Sequence, residues 1–573
     1  CDALIDFIAF LITLFVPGYL LIEKHFSGLE KWALSVFLSL SVTSFLFYAV
    51  ISFFGISREF IYAYALILLV LFFVVKKPTF SGILNSIKKI KLNSVKIQRK
   101  NLPDLFILFV LVFSLSLTAF FIPINKALVH DDETYHFPII TDFADDGKKT
   151  FFSETTNIYE VRSNEFPLLF ESFAGVTKFF LEDDFFWFVS FFSLILSLFL
   201  IFFISKLAGY SEFFSAALYG LTPLVLAFVR YFTVETFISM FFLGAVFFVL
   251  KYFEDNTDFF VLIAGFLSGL MFLTKFTGAI FFVGLFLFLL YKRKFKAAVF
   301  FGLLFILVSL TFVVFHFGVP VEQVSVGSYG GFAGNLMQMP SNILKLFEVF
   351  FWFFSNNWYI FFIPLLFLIG LFWRKKEEKT FSVLFFISFL FFIFFITINN
   401  VSSSMTGLPR YFLPVYSLLC IFSGTQLKKI VLLKNKLFLI LSYLIFILLI
   451  LLTVISVIEI FLVESNQTHN YSYIEGIDDA EGVSVWFVDG GALKTRFNKA
   501  TLYDYSWQTD FSGNPCDFLK KNKIDYVVYF HFPVESSYTV YLGNFKGKLR
   551  KSLLNGECDE LVPNDYFEIF KIK

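Results

Sequence analysis

Residues 232–274 read FTVETFISMFFLGAVFFVL-KYFEDNTD-FFVLIAGFLSGLMFLT, with two apolar blocks on either side of a short charged turn. Each block is close to the length that an α-helix needs to cross the hydrocarbon core of a bilayer. Lipid offers no partners to free backbone N–H and C=O groups, so apolar blocks of this kind cross a membrane as helices. The stretch therefore predicts two antiparallel membrane-spanning helices.

The same pattern continues along the chain. Of its 573 residues, 58% are hydrophobic and 16% are charged, and the mean hydropathy is +0.78. A soluble protein of this length has too little interior to bury so many apolar side chains. The apolar runs predict about fourteen spans. They lie near 3–22, 32–54, 60–75, 103–122, 185–205, 212–229, 232–250, 259–274, 276–291, 297–318, 357–373, 380–398, 411–426 and 437–463.

The sequence therefore predicts a polytopic α-helical membrane protein. No separate cleavable signal peptide stands out, and the first apolar run is interpreted as a spanning helix or an uncleaved anchor. The net charge of +1 gives no electrostatic reason to expect a nucleic-acid partner. The expected partners are membrane lipids.

Basic residues in the short loops predict the orientation of the spans. Cytoplasmic loops of membrane proteins carry an excess of Lys and Arg. With the spans above, the most basic loops all fall on one side, namely 76–100, 292–296, 374–376 and 428–436. That side is predicted to be cytoplasmic. The opposite, extracytoplasmic side then carries the loops 123–184, 319–356 and 399–409 and the tail from residue 464.

The tail differs in composition from the rest of the chain. In residues 464–573, VSVWFV, DYVVYF and YFEIFKIK read as strands and CDFLKKNKI reads as a short helix. These elements predict a small extracytoplasmic α/β domain over residues 464–573. The rest of the chain divides into N-terminal helices with a basic linker (1–102) and a transmembrane core (103–463). Cys516 and Cys558 lie in the tail. They either form a disulfide or remain two unpaired thiols, and the sequence is compatible with both.

An acidic cluster opens the first large outer loop, where residues 130–136 read His-Asp-Asp-Glu-Thr-Tyr-His. A carboxylate that is partly desolvated at the membrane surface has a raised pKa and is suited to act as a general base. The alternative is a solvated cap on the preceding helix. Carboxylates also attract hard divalent cations, so this cluster is a possible metal site. Because Asp131 and Asp132 are adjacent rather than separated by one residue, the sequence does not decide whether a metal binds here.

Three cations lie beside span ends on the predicted outer side, where positive residues are scarce. Arg230, Lys275 and Arg410 are candidates for binding an anionic group such as a lipid phosphate. The alternative is that each extends toward ordinary phospholipid headgroups. Glu235 lies near the outer end of its span, where a carboxylate is costly, so we expect it to pair with Arg230 or to serve a site.

Gly265 and Gly269 have the GxxxG spacing within a predicted span. Such pairs of small residues allow two helices to approach closely, and we expect a packing role here rather than a chemical one.

Four segments resemble a known family. They are Asp132-Glu-Thr-Tyr135, Glu165-Phe-Pro-Leu-Leu-Phe170, residues 265–280 (GFLSGLMFLTKFTGAI) and Leu408-Pro-Arg-Tyr-Phe-Leu-Pro414. In their order, spacing and outer placement they resemble the C-type glycosyltransferases (GT-C), in the branch of protein O-mannosyltransferases and aminoarabinose–lipid A transferases. The resemblance covers roughly residues 103–463. The tail lacks the Trp-Trp-Asp signature, which argues against an oligosaccharyltransferase that makes N-glycans.

The resemblance implies an inverting transfer of a sugar from a polyprenyl-phosphate-linked donor to a protein, lipid or glycan acceptor. The donor is already activated, so no nucleoside triphosphate site is needed, and a divalent metal ion is possible. The family's catalytic Asp corresponds to Asp132. The remaining residues are assigned as neighbours of that Asp (Asp131, Glu133), phosphate ligands (Lys275, Arg410, Arg230) and supporting groups (Tyr135, Glu235, His136).

Two other classes of function are compatible with a polytopic membrane protein. Secondary transporters have internal repeats and charged residues near mid-membrane. Here no repeat relates the two halves, and the charges lie at one face of the predicted membrane region. A non-catalytic scaffold in envelope assembly is the third reading, and the intact acidic cluster disfavours it.

Overall fold

The fold is a bundle of helices followed by a small β-sheet. A computed structural model describes residues 2–53, 57–76, 102–121, 168–180, 188–230, 234–315, 383–390 and 407–432 of the helical part. In the tail it describes 484–488, 501–503, 525–530, 559–562 and 567–572, and it also describes single residues 140, 393, 444, 447, 451 and 520.

Three helices form the N-terminal part: α1 (Asp2–Ile22), α2 (Gly28–Phe53) and α3 (Arg58–Lys76). At Gly18 a side chain would collide with the backbone of Ser35, so α1 and α2 pack backbone to backbone there. The Gly18 N–H donates to Ser39 Oγ at 2.8 Å. The Tyr62 hydroxyl donates to the buried Asp6 carboxylate and joins α3 to α1.

The remaining helices build the core. They are α4 (Leu102–Phe121), α5 (Leu169–Phe180), α6 (Phe188–Leu207), α7 (Glu212–Gly220), α8 (Pro223–Arg230), α9 (Val234–Asp255), α10 (Asp258–Thr274), α11 (Gly278–Tyr291), α12 (Phe295–Phe315) and α13 (Gly407–Leu432). Helices α9 and α10 are the two spans predicted from residues 232–274. Helix α9 lies at the centre, and nearly all of its side chains are buried.

The GxxxG pair packs as predicted. A Cβ at Gly265 would lie 2.5 Å from the Phe301 carbonyl oxygen, and one at Gly269 would lie 2.5 Å from Val308 Cβ. Both contacts are with α12, which therefore lies directly against α10. The packing role expected for these glycines is confirmed.

Two segments differ from the prediction. The span predicted at 212–229 is two short helices, because the chain leaves the helix at Leu221 and Thr222 and restarts at Pro223. Proline lacks an N–H and clashes with the preceding turn, but it fits the first turn of a new helix. In addition, the predicted outer loop 123–184 contains the buried helix α5.

Within the described residues, six helices are long and apolar enough to cross a membrane, so the chain has the character of a multi-pass membrane protein. Their spanning parts are Leu4–Ile22, Gly28–Val50, Arg58–Val75, Val189–Leu207, Val234–Asp255 and Phe295–Phe312. Asp104–Ser116 and helices α10 and α11 are apolar but shorter. Spans predicted at 357–373 and 437–463 lie largely outside the described residues, and the total of about fourteen stays a prediction.

Charged side chains mark one end of the bundle, which we name the Lys251 end. It comprises the α9–α10 turn, the α11–α12 turn, the start of α4 and the last turns of α13. Lys296 pairs with Asp258 at 2.5 Å and Lys428 pairs with Asp104 at 3.0 Å. Lys251 bonds Asp255 at 3.2 Å on its own helix. The opposite end, at which α9 starts and α10 finishes, is named the Lys275 end.

The tail contains a five-stranded sheet in the order β2-β1-β3-β5-β4. Its strands are β1 (Ser484–Val488), β2 (Thr501–Tyr503), β3 (Tyr526–Phe530), β4 (Asp559–Val562) and β5 (Phe567–Ile572). Strand β1 is parallel to β2 and β3, and β5 is antiparallel to β3 and β4.

Strands β1, β3 and β5 lie where the sequence predicts strands, whereas β2 and β4 were not predicted. The predicted helix at 516–524 lies, apart from the helical Lys520, outside the described residues. Cys516 and Cys558 lie outside them as well. The separate extracytoplasmic α/β domain over 464–573 stays a prediction.

Candidate functional site

Lys275 lies in a tight turn between α10 and α11. Its backbone is extended (φ −163°, ψ 141°), and its N–H donates to the Met271 carbonyl at 3.1 Å. The Gly278 N–H then donates to the Lys275 carbonyl at 2.8 Å. A side chain at Gly278 would collide with the Met271 backbone, so glycine is needed for this close approach. The turn fixes the point from which the Lys275 side chain leaves the helix end.

Lys275 forms an ion pair with Glu235. Because α9 and α10 are antiparallel, the first turn of α9 lies beside the last turn of α10, and Lys275 Nζ is 2.9 Å from Glu235 Oε1. The Glu235 side chain is only 3% exposed, whereas that of Lys275 is 22% exposed. A buried carboxylate is costly without a cation, so the pair explains how Glu235 is accommodated. The partner that the structure shows for Glu235 is Lys275, whereas the sequence predicted Arg230, whose side chain lies outside the description.

Tyr411 lies against the same cation. The Lys275 ammonium is 5.0 Å from the centre of the Tyr411 ring, within the range of a cation–π contact. Tyr411 is in the first turns of α13 and follows Arg410 directly. The structure thus brings the segment 265–280 into contact with the segment 408–414, although about 130 residues separate them in the chain.

A third segment reaches the same end of the bundle. Phe170, the last residue of the segment 165–170, has its ring centre 5.4 Å from that of Phe237, and Phe173 is 6.1 Å from the same ring. Phe237 follows Glu235 by two residues on α9. Three of the four family-like segments therefore meet around the first turns of α9.

The other candidate residues are described less fully or not at all. Arg230 ends α8 and Arg410 lies in the first turn of α13, but their side chains are outside the description. The acidic cluster, with Asp131, Asp132, Glu133, Tyr135 and His136, lies outside the described residues. Among the residues that are described, no group of three His, Cys, Asp or Glu side chains is arranged to hold a metal ion.

Sequence reasoning missed two polar groups below this cluster. Thr222 lies at the α7–α8 break, and its Oγ1 is 3.0 Å from the hydroxyl of Tyr416 on α13. Both residues lie in apolar runs, where a single Thr or Tyr reads as ordinary core. The dipeptide Thr222-Pro223 was the available signal, because proline in an apolar run marks a break in a helix.

The cluster places a positively charged group at one end of the helix bundle. A partly exposed ammonium is held in place by a buried carboxylate and an aromatic ring, and an arginine lies one residue away from that ring. A cation fixed in this way stabilises negative charge that develops next to it, because no reorganisation is needed during the reaction.

Comparisons with known proteins bear on the family and on the fold. Residues 171–317 match the family described as dolichyl-phosphate-mannose-protein mannosyltransferase. The matched stretch includes Glu235 and Lys275 but neither Asp132 nor Arg410. The comparison with curated proteins found no match.

Among solved structures, the chain is similar to ArnT from Cupriavidus metallidurans, in a crystal structure with undecaprenyl phosphate bound. The TM-score is 0.51 and the sequence identity is 13%, over 81% of this chain and 97% of that chain. At this identity the likeness establishes the fold. The resemblance to GT-C glycosyltransferases predicted from the sequence is confirmed, since both matches fall in that superfamily.

Proposed function

We propose that this chain transfers a sugar from a polyprenyl-phosphate-linked donor to an acceptor at the outer membrane face, with inversion at the sugar carbon. The family match and the fold both point to a membrane glycosyltransferase. The observation that carries the proposal is the cluster of Lys275, Glu235 and Tyr411, on which three of the four family-like segments converge.

Lys275 and the two arginines bind the donor phosphate in this proposal. The bond that breaks joins the sugar carbon to a phosphate oxygen, and negative charge collects on the departing polyprenyl phosphate. Arg410 and Arg230 present planar forks that match phosphate geometry, while Lys275 supplies a compact point charge. The structural relative with undecaprenyl phosphate bound supports a lipid phosphate as the ligand.

Asp132 is the proposed general base. It takes the proton from an acceptor hydroxyl or amine as the acceptor atom attacks the sugar carbon. Asp131 and Glu133 flank it in the sequence, and Tyr135 and His136 are assigned supporting roles. General-base catalysis contributes about 10²–10⁴-fold in rate, and preorganised charge on the leaving group contributes a comparable factor.

The distribution of charge supports the orientation. The Lys251 end carries Lys292, Arg293, Lys294, Lys296, Lys428 and Lys429 in or beside its turns. In the first turn of α2, Glu30 lies within electrostatic range of Lys206 and Lys251, so α2 starts and α6 finishes at this end too. An excess of cations marks the cytoplasmic side. The Lys275 end then faces outward.

The decisive assay is transfer of radiolabel from a polyprenyl-phosphate sugar by membranes that contain the chain. We expect transfer with the natural sequence, and loss of transfer in Asp132→Asn with unchanged amounts of folded protein in the membrane. Full activity of Asp132→Asn removes that residue from the mechanism. Mass spectrometry of lipids and glycoproteins from cells lacking the chain identifies the sugar and the acceptor together.

A further inference from the structure

A network of buried hydroxyl groups lies directly beneath the cation cluster. It starts at the C-terminal end of α7, where Tyr219 and Thr222 are each 1% exposed. From there one branch reaches α13 and another reaches α9. These two helices carry Tyr411 and Glu235, the residues that contact Lys275.

The first branch joins the helix break to α13. Thr222 Oγ1 donates to the Leu218 carbonyl at 2.5 Å, while the Thr222 N–H bonds the Tyr219 carbonyl at 3.2 Å. The threonine hydroxyl therefore satisfies a carbonyl at the point where the helix stops. A hydroxyl has one proton to donate, so in the 3.0 Å contact with Tyr416 it is the tyrosine that donates.

The second branch extends toward the first turns of α9. Ser239 Oγ donates to the Glu235 carbonyl at 2.8 Å. The buried Tyr219 hydroxyl of α7 lies near the Ser239 side chain.

The geometry connects the network to the site. Tyr416 follows Tyr411 by five residues, which corresponds to about 7.5 Å along a helix axis. Tyr416 is fully buried and cannot move without disturbing its neighbours. Its bond to Thr222 therefore ties α13 to the α7–α8 break at a point one to two turns below Arg410 and Tyr411.

We propose that Tyr416 and Thr222 are positioning residues for the donor phosphate, acting through the first turns of α13. This inference rests on the proposed function, because it assigns the affinity for the lipid phosphate to a hydrogen bond outside the phosphate site. Neither hydroxyl touches the donor. Loss of either one releases the cationic end of α13 from its fixed position and weakens donor binding with little change in the rate of the bound complex.

The test measures the Kd of the purified full-length protein for undecaprenyl phosphate, together with KM and kcat for the lipid-linked sugar. Tyr416→Phe and Thr222→Val each remove the bond with little change in volume, and Thr222→Ser keeps it. The matched control is Tyr64→Phe, which removes a half-buried tyrosine hydroxyl of α3 near Thr43 of α2, away from the site.

We expect Tyr416→Phe and Thr222→Val to raise Kd and KM about five- to tenfold, from the usual strength of one hydrogen bond, with kcat within about twofold. Thr222→Ser and Tyr64→Phe should bind like the natural sequence, and the double variant should be no weaker than either single one. Equal Kd values for Tyr416→Phe and Tyr64→Phe overturn the inference. Absence of binding by the natural sequence overturns the proposed function itself, and the two failures are therefore distinct.

Discussion

The ammonium of Lys275 lies 2.9 Å from a carboxylate oxygen of Glu235, a residue 40 positions earlier in the chain. The turn at residues 256–257 returns α10 along α9, so the end of one helix meets the start of the other. The carboxylate is buried and the ammonium is partly exposed. Glu235 therefore holds the Lys275 ammonium in place. The same ammonium also contacts the Tyr411 ring and is partly exposed.

The Lys275–Glu235 ion pair is predicted to affect the stability of the fold and the affinity for the lipid phosphate separately. Lys275→Met leaves the Glu235 carboxylate buried without this cation, and we expect a loss of about 3 kcal/mol, the low end for a broken buried pair because Lys275 is partly exposed. Lys275→Met combined with Glu235→Gln should recover most of that loss in stability, but both variants should bind the lipid phosphate at least about tenfold more weakly than the natural sequence. Thermal unfolding in detergent measures the first effect. A double variant as unstable as Lys275→Met contradicts this explanation.

Arg410 is predicted to contribute directly to donor affinity. Arg410→Ala removes a guanidinium one residue from the ring that contacts Lys275, and a charge-assisted phosphate contact makes about a tenfold or larger difference in Kd. Arg58→Ala is the control, since Arg58 is exposed at the start of α3. Titration with undecaprenyl phosphate compares the two variants. Equal changes favour general contacts with phospholipid headgroups over a donor site.

Much of the helical fold was predictable, because a bilayer permits few solutions. Uninterrupted apolar runs predict the spans over α1, α2, α6, α9, α10, α11 and α12. Helix α5 was not predicted, because its 12 residues include Glu171 and Lys178 and are too few to span a bilayer. The break at Thr222 was missed because an apolar run continues on both sides of it. In the tail, β2 has only three residues and β4 begins with two carboxylates, so neither has a strand pattern.

The close packing of α10 on α12 predicts a specific sensitivity to a single methyl group. Gly265→Ala places a Cβ 2.5 Å from the Phe301 carbonyl oxygen, which is backbone and has little room to move. We expect a loss of about 1–3 kcal/mol, typical of overpacking, seen as a lower unfolding temperature in detergent. Gly302→Ala is the control on α12, since its Cβ would meet only the Phe286 ring at an ordinary 3.4 Å. Equal stability of the two variants would show that the helices are not in backbone contact.

The site was predictable in part. The charge rule identifies Lys275 and Arg410 as exceptions, and the cost of a buried carboxylate predicts a partner for Glu235. Which cation serves as that partner depends on the antiparallel return of α10, and the spacing in the sequence does not reveal it. Tyr411 lies in a family-like segment, but the sequence does not reveal its contact with Lys275, which depends on how α13 packs against α10.

The orientation predicts which turns are open to reagents outside the cell. Arg58→Cys lies at the start of α3 and Arg293→Cys lies in the α11–α12 turn, and both positions are exposed. In a background where Cys1, Cys516 and Cys558 are replaced by Ser, a membrane-impermeant maleimide should label Arg58→Cys in intact cells. It should label Arg293→Cys only after permeabilisation. The reverse pattern places the Lys275 end in the cytoplasm and contradicts an outer-face reaction.

The central claim is that Lys275 is a phosphate ligand rather than one more paired lysine, and Lys428 provides the matched comparison. Lys428 pairs with Asp104 at 3.0 Å, is 28% exposed and lies 6.0 Å from the Phe214 ring, at the opposite end of the bundle. The most direct measurement is the Kd of Lys275→Met and Lys428→Met for undecaprenyl phosphate. We predict at least about a tenfold increase for Lys275→Met and less than about a twofold change for Lys428→Met. Equal Kd values for the two variants would contradict a phosphate site at Lys275.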